Sequence, residues 1–367
     1  MLNRRSFHLG LAAAGLTFGR AHAQPGVSVP FREQDGRLLV NVRVDGQGPY
    51  PFMIDTGADV GLISSSLAQS LRLPYVGMEQ NSRGDTLTML TIGRLDIKDG
   101  LTLRGLPYVA VPDGDFTRGS VGCGLLTSRR ALVDFDRGMI DFPGGHAGFT
   151  ALNTHFMTEK PPYASRFATD VTIDGLTLPA LWDTGNGATL QVSDTVARQL
   201  GLWRDDAPYA PQRAGHVGGA DTGMSRIVRA KSISVGPYRF EQQLVLLRYQ
   251  AVNRAVMGLS LIKTMNFAID PAGAVFVRRN AQAPGTTEYP RSGIWLDRTE
   301  AGVVVGDVGY GSPAARAGVR AGDMLAGISR RKDGNALLTG PVGKAVSLSL
   351  LRNGQPVKAQ FQLEDYL

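Results

Sequence analysis

The chain repeats itself once, and this duplication constrains its fold more than any other feature of the sequence. Residues 40–46 and 52–57 form a first pair of segments, which returns as residues 170–175 and 180–185. Each pair reads as an apolar strand, a turn and a second strand that ends in Asp-Thr-Gly. Because one match at a fixed offset exposes duplicated architecture, we expect two related units.

The similarity continues beyond these turns. Residues 67–73 and 196–202 each carry a short helical pattern that ends in leucine. A later landmark pairs Val121-Gly122 with Met257-Gly258, and residues 132–134 with residues 268–270. A repeat with a matching start, turn and finish predicts two homologous β lobes, over residues 27–154 and 164–281.

The composition fits short strands rather than a helical bundle. The chain has 367 residues with 46 glycines, 43% apolar residues and only 19% charged residues, which favours strands joined by tight turns. The stretch 155–163, with its Pro161-Pro162 pair, is predicted to connect the lobes, and 282–290 is predicted to follow the second lobe. We therefore expect a mainly β fold of several domains.

Residues 1–23 have the pattern of an export signal. Arg4 and Arg5 precede an apolar run, and Ala21-His22-Ala23 resembles a small-residue cleavage site. The twin arginines resemble the twin-arginine signal, which predicts a periplasmic or secreted protein. The alternative interpretation is an N-terminal anchor helix. Because no other segment approaches about eighteen apolar residues, we expect no membrane insertion of the mature chain.

Composition also weighs against several other functions. The net charge of +7 falls when the signal is removed, and no basic run with interleaved aromatics predicts nucleic-acid binding. The five histidines show no metal-ligand spacing, so neither a metal nor another cofactor is expected. The single cysteine, Cys123, is flanked by glycines and is interpreted as buried packing.

The two repeated aspartates, Asp55 and Asp183, are the candidate catalytic residues. Hydrolysis of a peptide without a metal or a covalent nucleophile needs one group to deprotonate water and another to polarise the carbonyl. Two carboxylates at close range cannot both ionise comfortably, so they share one proton and supply an acid and a base together. This chemistry requires that the two turns face each other.

The residues that follow each aspartate fit such an arrangement. Gly57 and Gly185 let the backbone turn sharply against its partner. Thr56 and Thr184 each place a hydroxyl where it can donate to the opposite loop and hold the two aspartates level. We therefore predict that these four residues orient the pair.

With these motifs the sequence resembles the retropepsin-like aspartic proteases, over residues 31–279. Residues 54–59, Ile-Asp-Thr-Gly-Ala-Asp, are similar to the retroviral motif, and residues 120–122 and 256–258 look like the hydrophobic-hydrophobic-Gly elements that pack under the catalytic loops of that family. The resemblance implies that Asp55 and Asp183 form the catalytic dyad.

The resemblance also implies substrate-covering hairpins, at residues 78–95 and 214–226. Asn186 stands where the family usually has Ala, Ser or Thr. The stretch 214–226 contains a third Asp-Thr-Gly, residues 221–223, which lacks a preceding apolar strand. We expect it to be a glycine-rich loop tip, with His216 in solvent.

Residues 291–367 resemble a bacterial PDZ domain. A strand at 302–308 precedes a Gly-Ser-Pro turn, a short helix and a Gly-Asp turn. PDZ domains capture extended chain ends at a sheet edge, and the resemblance implies a peptide-carboxylate loop that includes Gly293, Ile294, Trp295 and Leu296. The usual second helix is expected to be lost, because only a glycine-interrupted stretch remains at 328–342.

The predicted protein is thus an exported, monomeric aspartic endopeptidase that acts on peptides or proteins, with two β-barrel lobes and a PDZ-like α+β domain. The alternative is a catalytically silent peptide-binding protein that uses the same cleft. The PDZ-like domain is interpreted either as a module that tethers substrates or partners or as a small packing domain.

Overall fold

The computed structural model describes residues 26–80, 84–98, 101–113, 118–156, 166–216, 219–221, 223–251, 253–271, 274–285 and 288–367. The predicted export signal lies outside these residues, as does most of the predicted connector. The fold is mainly β. In the described part of the chain, no helix combines the length and the apolar character needed to cross a membrane.

The described residues of the first repeat form twelve strands and two short helices, and eight of the strands make up one sheet. Its elements are β1 Val27–Pro30, β2 Arg32–Gln34, β3 Arg37–Val44, β4 Gln47–Asp55, β5 Gly61–Ser64, α1 Ser65–Ser70, β6 Tyr75–Gln80, β7 Thr86–Lys98, β8 Leu101–Val111, β9 Gly119–Gly122, α2 Gly124–Thr127, β10 Ala131–Asp134, β11 Met139–Phe142 and β12 Thr150–Leu152. The sheet order is β2-β3-β4-β9-β5-β8-β7-β6. Strands β6 and β7 form a hairpin at its edge, called here the first hairpin.

The second repeat forms a sheet of its own with corresponding elements. They are β13 Thr154–Phe156, β14 Phe167–Ile173, β15 Leu176–Asp183, β16 Leu190–Ser193, α3 Asp194–Gln199, β17 Ala210–Gln212, β18 Gly215–His216, β19 Gly219–Ala220, β20 Ser225–Arg229, β21 Ser232–Val235, β22 Tyr238–Glu241, β23 Leu244–Arg248, β24 Ala255–Gly258, α4 Leu259–Ile262, β25 Met265–Asp270 and β26 Ala274–Arg279. Strand β13 pairs with β14, so the second sheet already begins at Thr154, before the predicted connector ends. Strands β17 and β20 enclose residues 213–224, called here the second hairpin.

The two helical patterns lie where the sequence places them, for a local reason. In α1 the Ser64 hydroxyl accepts a hydrogen bond from the Leu67 N–H at 3.4 Å, and in α3 the Ser193 hydroxyl accepts from Val196 at 3.3 Å. A serine at this position satisfies one of the amide groups that a helix start leaves unpaired. Both helices therefore begin directly after the strand that follows the Asp-Thr-Gly turn.

A third sheet joins the repeats and displays their symmetry. Its order is β1-β11-β10-β25-β26-β12, and its central pair, β10 and β25, is antiparallel. Within that pair Leu132 lies opposite Ala268. These two residues are also equivalent in the sequence alignment of the repeats, so an approximate twofold axis passes between them.

The repeats share one hydrophobic core. Phe135 of the first repeat packs 6.3 Å from Phe267 of the second, and Trp182 lies edge-on to Phe267 with ring centroids 5.0 Å apart. Trp182 and Phe267 are fully buried. Because aromatic pairs bury large areas and favour offset or edge-on geometry, these rings fix one repeat against the other.

The C-terminal region has its own core and an antiparallel sheet in the order β27-β28-β29-β30-β31. Its elements are β27 Ile294–Thr299, β28 Gly302–Val308, α5 Pro313–Arg316, β29 Met324–Leu325, α6 Arg331–Leu338, β30 Ala345–Arg352 and β31 Gln355–Gln362. The expected loss of the second helix is wrong, because α6 occupies that stretch. Its glycine, Gly334, is buried, and a Cβ there would lie 2.7 Å from Leu296, so glycine lets the helix pack closely on β27.

Candidate active site

The structure brings Asp55 and Asp183 together. Each is the last residue of a strand, β4 or β15, that pairs in parallel with the strand carrying the hydrophobic-hydrophobic-Gly element of its repeat. In these ladders Asp55 lies opposite Gly122 and Asp183 lies opposite Gly258. The two carboxyl groups lie close enough to shift the pKa of each other, which is the arrangement that a shared proton requires.

Glycine is required in both turns by the closeness of the opposite carboxyl group. A Cβ at Gly57 would lie 2.4 Å from the Cγ of Asp183, and one at Gly185 would lie 2.8 Å from the Cγ of Asp55. The backbone N–H of each glycine also donates to the Oδ1 of its own aspartate, at 3.0 Å for Gly57 and 2.9 Å for Gly185. The two turns therefore face each other.

The two threonines bond across the pair rather than to the carboxylates. The Thr56 hydroxyl donates to the carbonyl of Trp182 at 2.9 Å, and the Thr184 hydroxyl donates to the carbonyl of Ile54 at 2.6 Å. Each hydroxyl also accepts the backbone N–H of the other threonine, at 3.1 and 3.0 Å. Both side chains are fully buried, so these four bonds fix the level of the two turns.

Burial raises the pKa of both carboxyl groups, and it does so unequally. The pKa of Asp55 rises well above its ordinary value because of burial, the charge of Asp183 and the hydrogen bond between them. The pKa of Asp183 is also raised by burial, but the Gly185 N–H, the bond from Asp55 and the charge of Arg166 oppose the rise. The pKa of Asp55 is therefore raised more strongly than that of Asp183.

The residues that follow the two hydrophobic-hydrophobic-Gly elements bond to the loops after the Asp-Thr-Gly turns. The N–H of Cys123 donates to the carbonyl of Ala58 at 2.9 Å, and the N–H of Leu259 donates to the carbonyl of Asn186 at 2.7 Å. The side chain of Asn186 accepts the Ala188 N–H at 3.0 Å. This departure from the family pattern thus stabilises its own loop by a local asparagine turn.

An ion pair beside the dyad was missed by the sequence analysis. The Arg166 Nε lies 2.9 Å from the Oδ2 of Asp59, and the two side chains are only about one-third exposed. Asp59 belongs to the quoted motif, whereas Arg166 comes from the other repeat and carries no local signal. Its charge reaches Asp183 and counters the rise of that pKa.

Cys123 lies beneath the same ion pair. Its Sγ is 3.9 Å from the Oδ1 of Asp59, and the side chain is fully buried. Burial raises the pKa of this thiol to about 12. Because the thiolate is the reactive form, these properties fit the interpretation of Cys123 as packing.

The third Asp-Thr-Gly is more than a loop tip. Asp221 is 5% exposed, and its carboxylate accepts the Nε and Nη2 of Arg248 at 2.8 and 3.2 Å. A buried carboxylate needs such a two-bond partner. Beyond the expected loop tip, Asp221 therefore anchors the second hairpin to the end of β23.

The predicted peptide-carboxylate loop borders a groove of about 240 Å³ between β27 and α6. Ile294, Trp295 and Leu296 line the groove, as does Arg331 on the helix. The Ile294 N–H donates to the Ser292 hydroxyl at 3.2 Å. The loop residue Gly293 has a φ of 77°, and a Cβ there would lie 2.1 Å from Ser312.

A comparison with protein families finds a match within the first repeat. A sequence profile of the family described as aspartyl protease matches residues 40–125, which include Asp55 and β9. The first repeat is similar to aspartyl proteases. A retropepsin-like aspartic protease from Rickettsia conorii, known as a crystal structure, is 21% identical; the match covers 32% of this chain and 89% of that protein, with a TM-score of 0.25. No curated protein matches the chain.

Proposed function

We propose that the protein is an aspartic endopeptidase that uses Asp55 and Asp183 to hydrolyse peptide bonds without a cofactor. The observation that carries this proposal is the reciprocal bonding of Thr56 and Thr184, which holds the buried Asp55 and the half-buried Asp183 face to face. A structural ion pair would place opposite charges there. Two like groups that share one proton are instead suited to acid and base catalysis.

Because the pKa of Asp55 is raised more strongly than that of Asp183, we assign the shared proton to Asp55 and the role of base to Asp183. The carboxylate of Asp183 takes a proton from water, whose oxygen attacks the peptide carbonyl carbon, while Asp55 gives its proton to the carbonyl oxygen. The tetrahedral intermediate then collapses, the C–N bond breaks, and the amine leaves with the proton that Asp183 received. Asp55 regains its proton from a hydroxyl of the intermediate as the carboxylic acid product forms, which restores the starting state.

The test is peptide hydrolysis by the mature chain and by the variants Asp55→Asn and Asp183→Asn. Loss of acid or base catalysis is expected to lower kcat by about 10²–10⁴ in each variant. Asp206→Asn, at a carboxylate that is 70% exposed, is the matched control and should leave kcat unchanged. A parent chain that binds peptides without cleaving them would instead establish the silent peptide-binding alternative.

For the C-terminal region we propose a PDZ-like module that binds an extended segment of a substrate or partner. In its favour, β27 is the first strand of the sheet and α6 forms the second wall of the groove, so a peptide strand can add to the edge of β27. Asn335→Trp, on the exposed side of α6 in the groove, should abolish binding of a fluorescent peptide library. Unchanged binding would favour the packing interpretation.

We further propose that the protein is exported as a monomer, because both aspartates come from one chain and residues 1–23 match an export signal. Cell fractionation should recover the mature protein outside the cytoplasm, and replacing Arg4 and Arg5 with lysine should reduce export. Sedimentation should give the mass of one chain. A cytoplasmic product would contradict the first point, and a stable dimer would contradict the second.

A further inference from the structure

The side chain of Arg213 links the second hairpin to the C-terminal sheet. Arg213 follows β17 directly, and its Nη2 lies 3.3 and 3.4 Å from the two carboxylate oxygens of Asp297 on β27. The same nitrogen is 3.9 Å from the Sδ of Met224, which precedes β20. One guanidinium group thus contacts both limbs of the hairpin at its base, and a strand of the other region.

Asp297 is in turn held by the residue that lines the groove. The Trp295 Nε1 donates to the Oδ1 of Asp297 at 3.1 Å. A Cβ at Gly306, on the neighbouring strand, would lie 2.3 Å from the Oδ2 of Asp297 and 3.3 Å from the Trp295 ring. Glycine at position 306 therefore leaves the space in which this carboxylate and indole meet.

The other face of Trp295 meets the helix of the groove. The guanidinium carbon of Arg331 lies 4.3 Å from the centre of the Trp295 ring, in the geometry of a cation–π contact. Its Nε is buried and has no hydrogen-bond partner among the described residues. A ligand that brings an acceptor to this nitrogen must displace or reorient Arg331, and Trp295 will respond because the two side chains are stacked.

The two regions also contact each other at Tyr209, next to β17. The Tyr209 hydroxyl lies 3.3 Å from both Asp307 Oδ1 and the carbonyl of Val308, and the Tyr366 hydroxyl donates to the carbonyl of Tyr209 at 3.0 Å. A Cβ at Gly309 would approach that carbonyl to 1.9 Å. Packed contacts of this kind transmit small displacements.

We propose that occupancy of the β27–α6 groove is transmitted to the second hairpin through Trp295, Asp297 and Arg213. A peptide in the groove moves Arg331 and Trp295. This movement weakens the contact between Asp297 and Arg213 at the base of the hairpin. The consequence for peptide hydrolysis rests on the proposed function and on the family resemblance, which implies that this hairpin covers the substrate. The coupling itself does not depend on catalysis.

The experiment occupies the groove with a defined probe. Asn335 is exposed and lines the groove, so an Asn335→Cys variant can be labelled there with fluorescein maleimide, while buried Cys123 with its raised pKa is spared. Hydrogen exchange of the peptide covering residues 213–224 is measured before and after labelling. The expected result is a rise of about fivefold in exchange, the lower end of typical allosteric coupling.

Three controls decide whether this route carries the change. Gln360→Cys, labelled in the same way on the distant strand β31, should leave exchange at 213–224 unchanged. Adding Asp297→Asn to the Asn335→Cys chain should abolish the response to the label, and adding Trp295→Phe should reduce it, since phenylalanine keeps the stacking but lacks the N–H. The proposal would be overturned if labelling of Asn335→Cys left the exchange at 213–224 unchanged. It would also be overturned if both added variants responded to the label as strongly as Asn335→Cys alone.

Catalysis is measured separately. If the parent chain cleaves peptides, labelling of the Asn335→Cys variant should change kcat/KM by a similar factor, and Asp297→Asn should remove that change. If the parent chain is inactive, the proposed function fails, yet the exchange experiment still decides the coupling.

Discussion

The two repeats hold their aspartates in the same way but hold their hairpins differently. At the centre, Thr56 and Thr184 make matching bonds across the twofold axis. At the periphery, the first hairpin is a sheet edge that exposes Tyr75 and Met78, with 60% and 65% of their areas accessible. The second hairpin is instead anchored through Asp221 and contacts the C-terminal sheet.

This difference shows which features the paired site requires in both repeats and which features can differ between them. A shared proton requires both carboxyl groups at one level, so the bonds around them must be reciprocal. The hairpins are under no such constraint, and an exposed apolar strand edge is suited to contact with another extended chain. We therefore expect equal effects from matched changes at the centre and unequal effects from changes outside it.

The largest effect should come from the paired threonines. Thr56→Val and Thr184→Val each remove one hydrogen bond from a buried N–H and one to a backbone carbonyl, at about 1–3 kcal/mol for each bond. The loss of unfolding free energy in urea should be the same for both variants. Thr56→Ser and Thr184→Ser keep the hydroxyl and serve as controls. Clearly unequal losses from the two valine variants would contradict the symmetry.

A change at the anchor of the second hairpin should lower the free energy of unfolding slightly less. Asp221→Asn leaves Arg248, only 16% exposed, without its countercharge, and breaking such a buried pair costs about 3 kcal/mol. The matched change in the first repeat is Asp96→Asn, whose partner Arg94 is 53% exposed, with a cost below about 1 kcal/mol. Urea unfolding of both variants measures the difference. Similar losses would mean that Asp221 is not a structural anchor.

The turn glycines should affect activity more than stability. A Cβ at Gly57 or Gly185 meets the end of a flexible carboxyl side chain, which can move aside but then leaves the position that the proposed catalysis requires. Misplacement of this kind can lower kcat by about 10²-fold, and Gly57→Ala should be the more severe because its contact is shorter. Peptide hydrolysis measures the loss, and thermal unfolding is the control. A variant with full activity would contradict the face-to-face geometry.

The smallest effect should be a shift in pH dependence. Arg166 opposes the rise of the Asp183 pKa, so Arg166→Gln should raise that pKa further and protonate the base at a higher pH. The acid limb of the kcat/KM profile should therefore move to higher pH. Asp59→Asn keeps the arginine but removes its countercharge, and should move the limb the opposite way. Shifts in the same direction would rule out Arg166 as the cause.

Much of this site could be read from the sequence because its signals are local or repeated. The aspartates, the adjoining threonines and glycines, and the two short helices each lie within a few residues of the Asp-Thr-Gly turns. The offset of the repeats even pairs Leu132 with Ala268, which lie opposite each other in the shared sheet. The helix over residues 331–338 was missed because Gly334 has low helix propensity, and tertiary packing overrides that preference.

The sequence by itself determined that two equivalent turns exist and that each ends a buried strand, because strand and turn patterns are written in neighbouring residues. Only the tertiary structure decided which distant side chains meet them. Arg166 pairs with Asp59 across the repeats, and Arg213 with Asp297 across regions. Such contacts depend on how sheets pack in three dimensions, and surface arginines carry no periodic signal that could identify their partners.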